Sequence, residues 1–416
     1  MMMVHTMRRM KGKAETARGG GRVPSLCIPA LCNRRETVAW ARMRKSHIAY
    51  YISAHGYGHG VRSADILNAL LADEPSVRVT VVTDLPARFL ENRLAGAGGD
   101  WRIRAGAFDV GMVQRDSIRV DVAATLEKAL DLLARRERLV AAETSWLREA
   151  DVDLVVADIP SIPLEAASVA GIPGVAVGNF SWDWIYAPFA ETDVRWKPII
   201  EMFAEGYRRA ETLLKLPFSP AMDVFRRRVE LPLLAKPGTP RRQEMAQRTG
   251  ADEQKIWVLL SFTTLDWDEA ALATVAGLDD YEFFTVKPLA WSGWCNIHAV
   301  DRAEVRFSDV LASCEVVVSK PGFGILSDCV ANAKPLVYAE REDFIEYPLL
   351  ERELKRYLKH VHIPAVDLYA GRLGAALSAV KTAPEPPESM PGGGAEQAAA
   401  LLRAALATSK KQGRDG

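Results

Sequence analysis

The sequence is short of cysteine, of histidine and of long apolar runs. Its five cysteines (Cys27, Cys32, Cys295, Cys314, Cys329) show no C-x-x-C spacing, which argues against a disulfide framework and a zinc cluster and fits a reducing, cytoplasmic setting. No apolar run approaches the ~18 residues that a membrane-spanning helix needs. The N-terminus also lacks the long apolar segment of a signal peptide. A protein without a transmembrane segment is expected, with peripheral membrane contact left open. The net charge is zero, yet residues 1–45 hold eleven Lys/Arg against Glu15 and Glu36, so residues 46–416 carry 42 basic and 51 acidic groups. No basic stripe crosses that acidic body, and since neutralising phosphates requires one, no nucleic-acid partner is expected.

What is present is a globular balance, 49% hydrophobic and 25% charged, in 416 residues, a length that suits two α/β domains. Residues 1–45 are Arg-rich, contain Gly19-Gly20-Gly21 and show no sustained periodicity. They read as a tail, either disordered or a mis-assigned start ahead of Met43, with an organelle transit peptide as the alternative. Apolar runs at 46–53, 77–83, 154–157 and 174–177 read as buried strands, and amphipathic stretches at 61–71 and 126–147 as helices. A proline-rich stretch at 215–240 interrupts that rhythm. It resumes with strands at 256–260, 281–286, 316–319 and 335–338 and helices at 324–333 and 347–358. The expected fold class is therefore α/β, with two Rossmann-like parallel-sheet domains at 46–240 and 241–383 facing a cleft, then a linker and C-terminal helix at 384–416.

In open parallel sheets, ligands lie beyond the carboxyl ends of the strands, so residues just after each strand carry the chemistry. The first such segment is Ala54-His55-Gly56-Tyr57-Gly58-His59-Gly60. A histidine at a helix N-terminus feels the positive dipole end and stays neutral, so His59 is the better-placed base and His55 its neighbour; a tight turn with locally bonded histidines is the plainer alternative. Ser319-Lys320-Pro321-Gly322-Phe323-Gly324 opens the helix that carries Asp328. Its amides suit a pyrophosphate, Lys320 offsets the charge and Asp328 is placed to accept from ribose hydroxyls, although a simple strand-to-helix corner has the same composition. Asp158 follows the strand at 154–157, either catalytic or capping the next helix. Asn179-Phe180-Ser181-Trp182-Asp183-Trp184 sets aromatic faces beside polar groups, which suits a sugar or other amphipathic acceptor, or equally a core anchor. Two Asp-x-Asp triplets lie in the chain. Asp151 and Asp153 precede their strand, and Asp268 stands where it caps a helix, so no metal is expected.

These segments in this order resemble the GT-B glycosyltransferases, among them the transferase that adds N-acetylglucosamine to the lipid precursor of peptidoglycan. The likeness spans about residues 46–380. The segments His55–His59, Asn179–Asp183 and Lys320–Gly324 are also similar to the glycosyltransferase-like half of plant L-arabinokinases, whose kinase half's Gly-Ser-rich phosphate loop is absent here. The resemblance implies a nucleotide sugar, expected to be a UDP-sugar, as co-substrate with no further cofactor. It implies donor contacts from Ser261, Thr263, Lys320, Gly322, Phe323, Gly324, Asp328, Asp343 and Glu346. Two positions depart from the pattern: Asp328 stands where Glu is commoner, and Glu346 where the peptidoglycan transferase has Gln.

The expected activity is a hexosyltransferase-like inverting transfer to an unidentified acceptor hydroxyl. His59, His55 and Asp158 are its catalytic candidates, and Asn179, Trp182, Asp183 and Trp184 its acceptor contacts. The alternatives are a nucleotide-sugar 2-epimerase or hydrolase, which needs carboxylates to move protons, and a non-catalytic sugar-nucleotide sensor.

Overall fold

The computed structural model describes residues 45–114, 120–341 and 344–415, with backbone alone from 410. The tail expected before residue 45 thus lies outside the described residues. Two sheets form, every neighbouring pair of strands being parallel. The first holds β1 (His47–Ile52), β2 (Arg78–Val82), β3 (Asp100–Arg104), β4 (Leu154–Asp158), β5 (Gly174–Gly178), β6 (Thr212–Lys215) and β7 (Arg228–Glu230), in the order β3-β2-β1-β4-β5-β6-β7. The second holds β8 (Ile256–Ser261), β9 (Tyr281–Val286), β10 (Ile297–Val300), β11 (Val316–Ser319), β12 (Leu336–Tyr338) and β13 (His360–His362), in the order β10-β9-β8-β11-β12-β13. Strand order reverses between β1 and β4 and again between β8 and β11, which makes those strand ends the switch points where crevices open.

Burial on both faces explains the apolar runs. All six residues of β1 are buried. Ile48, Tyr50 and Ile52 pack on one face with Leu67 and Leu70 of the Tyr57–Asp73 helix, while Ala49 and Tyr51 pack on the other with Leu126 and Ala129 of the Val122–Glu149 helix. Helices on both sides make such a sheet stable. The C-terminal Gly394–Asp415 helix returns to the first sheet, where Ala398, Ala399, Leu402 and Leu406 join the Leu67 cluster. Its path runs beside the outward crossing of the chain. Leu233 N donates to Pro391 O at 2.9 Å, and Gly394 N donates to Leu233 O at 3.0 Å.

One helix begins earlier than its periodicity indicates. The first helix starts at Tyr57, capped by the extended Gly56, so His59 lies in its opening turn and not in a loop before it. Gly58 and Gly60 hide that turn from a propensity reading. Gly60 is required by packing, because a Cβ there would stand 2.6 Å from Phe89 Cε1 and 2.7 Å from Leu85 Cδ1.

Candidate active site

Two histidine–aspartate pairs lie at the carboxyl end of the first sheet. His59 Nδ1 is 2.8 Å from Asp158 Oδ1, and Asp158, the last residue of β4, is 0% exposed. Asp158 also accepts from Ser63 Oγ at 2.8 Å and Arg62 Nε at 2.7 Å on Oδ2, and from Arg62 Nη2 on Oδ1. It does not cap the following Ile162–Ala170 helix, whose N-cap is Ser161. Burial would raise the Asp158 pKa, but the Arg62 guanidinium and His59 outweigh it and hold the carboxyl far below its usual range.

Two contacts of opposite sense meet at His59 Nδ1. Arg62 Nη2, which can only donate, approaches to 2.9 Å, whereas ionised Asp158 can only accept. The stronger acceptor places the proton on Nδ1 and leaves Nε2 with its lone pair. Burial lowers the His59 pKa and the Arg62 charge lowers it further, against Asp158 and Asp109. The neutral ring expected from the helix dipole therefore also has burial and a neighbouring cation as its causes.

The second pair joins His55 Nε2 to Asp109 Oδ1 at 2.6 Å. Asp109 further accepts from Ser53 Oγ and, at 2.8 Å, from Trp182 Nε1. For His55, burial opposes the charged form, yet the field and hydrogen bond of Asp109 prevail over burial and Lys128, and its pKa is raised. The ring lies against Gly111, where φ is +63° and a Cβ would meet His55 Cγ at 2.3 Å, so this close approach requires glycine.

The second sheet presents the other loops. Gly322 caps the Phe323–Ala331 helix through extended backbone, with no side-chain bond to its first-turn amides. A Cβ at Gly322 would meet only Ile325 Cγ2 at 4.0 Å, and one at Gly324 nothing within 4 Å. Neither glycine is demanded by dihedral angle or internal packing; both leave the backbone approachable. Ser319 Oγ ties the end of β11 to Ser261 O at the end of β8, at 2.8 Å. Thr263 is exposed in the loop after β8. Glu346 opens the Glu346–Tyr357 helix; burial raises its pKa, while the charges of Arg341 and Lys320 oppose the rise. Asp343 lies outside the described residues.

No protein-family model matches the chain. It is 30% identical to L-arabinokinase of Arabidopsis thaliana over 336 residues, which are 78% of this chain and 31% of that one. The chain thus spans less than a third of the length of that curated relative. Among solved structures it resembles UGT89C1 of Arabidopsis thaliana complexed with UDP, at 14% identity and TM-score 0.56, over 88% of this chain and 100% of that one. It also resembles the calicheamicin glycosyltransferase CalG4, at 15% identity and TM-score 0.55, over 88% and 95%. The chain has the GT-B fold.

In this GT-B chain the loops of the two sheets touch directly. Phe180, after β5, stacks on Phe323 of the glycine-rich turn, with centroids 5.7 Å apart, and His59 meets Phe180 edge-on at 5.8 Å. Asp328 makes no side-chain hydrogen bond among the described residues. Its pKa is raised to about 7 by burial, with Arg93 opposing and Asp65 of the first domain adding to the rise.

The residues read as acceptor contacts separate into two kinds. Asn179 is buried, accepting from Arg62 Nη1 at 2.5 Å and donating to Pro217 O at 2.6 Å, so it braces the His59 cluster from behind. Trp182 is 4% exposed, edge-on to His55 at 5.5 Å and stacked on Tyr186, with its indole N–H held by Asp109. It shapes the wall without offering a face to a ligand. Asp183 and Trp184 remain half-buried; burial raises the Asp183 pKa, and Trp184 packs on the edge of the core.

Arg62 and Asp109 were missed by the sequence reading. Arg62 had a signal, since it stands three residues after His59 on one helix face. Asp109, in an aperiodic stretch between β3 and the Val122–Glu149 helix, had none.

Proposed function

We propose that the chain is a glycosyltransferase that moves a sugar from a nucleotide sugar, expected to be a UDP-sugar, to an acceptor hydroxyl with inversion. The observation that carries this reading is the His59–Asp158–Arg62 cluster: an imidazole held by a buried carboxylate, at a switch point, and linked through the Phe180 ring to Phe323 of the glycine-rich turn of the second sheet. His59 Nε2 takes the acceptor's proton as the hydroxyl oxygen bonds to the anomeric carbon and the nucleotide diphosphate leaves. Asp158 steadies the imidazolium so formed. The charge on the leaving group meets the Gly322–Ile325 amides and Lys320, Asp328 accepts from the ribose, and Ser261, Thr263, Asp343 and Glu346 complete the donor side. The UDP in the UGT89C1 structure supports that donor class. Two buried, unbridged thiols, Cys314 and Cys329, fit a cytoplasmic setting.

The epimerase or hydrolase alternative asks Asp158 to move protons. Its carboxylate is engaged by His59, Arg62 and Ser63 and held ionised, which favours transfer. Product analysis with a panel of nucleotide sugars and hydroxyl acceptors tests the reading, and a glycoside product of inverted configuration is expected. His59→Ala should slow transfer ~100- to 10,000-fold, the usual cost of losing a general base, with donor affinity by calorimetry nearly unchanged. Near-normal turnover in that variant, or epimer or free sugar as the main product, would overturn it.

A further inference from the structure

Arg341 is a buried cation whose hydrogen bonds are unfilled. It stands three residues past β12, whose end lies beside the glycine-rich turn: Tyr338 is in register with Ser319, and Ala339 N donates to Ser319 O at 3.3 Å. The Arg341 side chain is 6% exposed, and its Nε is buried with no acceptor. Glu346 Oε2, at 3.8 Å from Nη1, is near enough for attraction and too far for a hydrogen bond. Cζ lies 3.2 Å from the centroid of the Phe344 ring. That stacking fixes the plane of the guanidinium but satisfies none of its N–H groups.

Two observations put this group on the donor side of the cleft. Ile345, next to Phe344, packs together with Phe323 against the core cluster that holds Phe180, so this loop meets the first domain where the glycine-rich turn does. The charges of Arg341 and Lys320 are both felt at Glu346. Burial favours the neutral form of Glu346, so this carboxylate offsets the Arg341 charge only in part. Burial lowers the Arg341 pKa to about 10, with Glu346 opposing, and the guanidinium stays charged at neutral pH.

A charge taken out of water is stabilised by an opposite charge that also fills its hydrogen bonds. A sugar hydroxyl fills the bonds and leaves the charge. A carboxylate does both, and its two oxygens match the guanidinium fork. In the reading above, the diphosphate is met by the Gly322–Ile325 amides and Lys320, after β11. Arg341 follows the neighbouring strand, ~4.8 Å further along the sheet, where the next part of the donor, its sugar, extends.

We propose that Arg341 is a specificity residue for a nucleotide-linked sugar acid, a uronic acid whose carboxylate pairs with the guanidinium. The proposal rests on the nucleotide-sugar reading for the donor and not on the chemistry assigned to His59.

The test titrates the full chain by calorimetry with UDP, UDP-glucose, UDP-glucuronate and UDP-galacturonate. At least one uronate should bind about tenfold or more tighter than UDP-glucose, the scale of one charge-assisted hydrogen-bonded pair. Arg341→Ala should abolish that preference and leave UDP affinity within about twofold of wild type, and Arg341→Lys, which keeps the charge without the fork, should fall between. The proposal is overturned if wild type binds UDP-glucose as tightly as both uronates, a comparison that decides even if the variants do not fold. It is equally overturned if the preference survives in Arg341→Ala, or if a folded Arg341→Ala loses UDP as well, which would assign the arginine to the diphosphate. An Arg341-dependent uronate preference with no glycoside formed from any hydroxyl acceptor would sink the transferase reading and keep this one. Glycoside transfer from UDP-glucose without a uronate preference would do the reverse, and if none of the four ligands binds, both fall.

Discussion

At the scale of single residues, the site is a matter of which charges face one imidazole. Arg62 binds Asp158 through two nitrogens and so offsets much of the carboxylate's pull on the His59 proton, while its own charge disfavours the imidazolium. Removing the guanidinium should raise the His59 pKa. A base works only below full protonation, so Arg62→Ala should shift the acidic limb of the transfer rate toward higher pH, measured as kcat/KM from pH 5 to 8. Arg62→Lys keeps the charge but loses the bidentate geometry, and should fall between the two. An unmoved acidic limb in Arg62→Ala would show that burial alone keeps His59 neutral.

At the scale of elements, two helices have separable duties. The opening of the Phe323–Ala331 helix is accessible backbone, and Gly322, at φ −162°, adopts a conformation open to any residue. Gly322→Val should therefore fold with a melting temperature near that of wild type and yet lose at least about tenfold in UDP affinity, ~1.4 kcal/mol, because a side chain would stand where phosphate approaches the amides. The Gly394–Asp415 helix is a structural clasp. Leu402 is fully buried in the first-sheet core, and Leu402→Ala should cost ~2–5 kcal/mol in denaturant unfolding, the range for truncating a buried leucine. Little change would mean the helix is detached in solution.

At the scale of the whole molecule, one carboxyl in each domain is raised chiefly by burial, and Asp65 of the first domain adds to the rise at Asp328 of the second. Asp328 is held at about 7 and Asp65 at about 6, each raised by burial and then by the other domain's or the C-terminal helix's acidic charge, with Arg93 opposing both. A carboxyl whose folded pKa exceeds its unfolded value binds more protons when folded, so stability falls as pH rises from about 4 to 7 and stays lower above that. Asp328→Asn should raise the melting temperature at pH 8, with a much smaller gain at pH 4.5. Equal gains at both values would mean that titration of Asp328 is not the cause. Asp158 has the opposite sign: its pKa is depressed, so its contribution is complete above the unfolded aspartate value and is lost only in strong acid.

The sequence by itself determined the parallel sheets, because strands buried on both faces must be apolar throughout; residues 281–286 and 316–319 were legible to the residue. It also determined which strand ends carry glycine and histidine, since the strand-to-helix order is local. Edge strands were not legible. Asp100–Arg104 and His360–His362 are short and only partly buried, so no apolar run marks them, and Arg228–Glu230 lies inside the proline-rich stretch that reads as an interruption. The partners of the histidines were decided only in three dimensions. Asp158 is 99 residues from His59 and Asp109 is 54 from His55, and nothing in local periodicity couples positions so far apart. Their meeting follows from the register of β1 beside β4, which pairs Ile52 with Asp158 and sets that carboxylate under the first turn of the helix that β1 feeds.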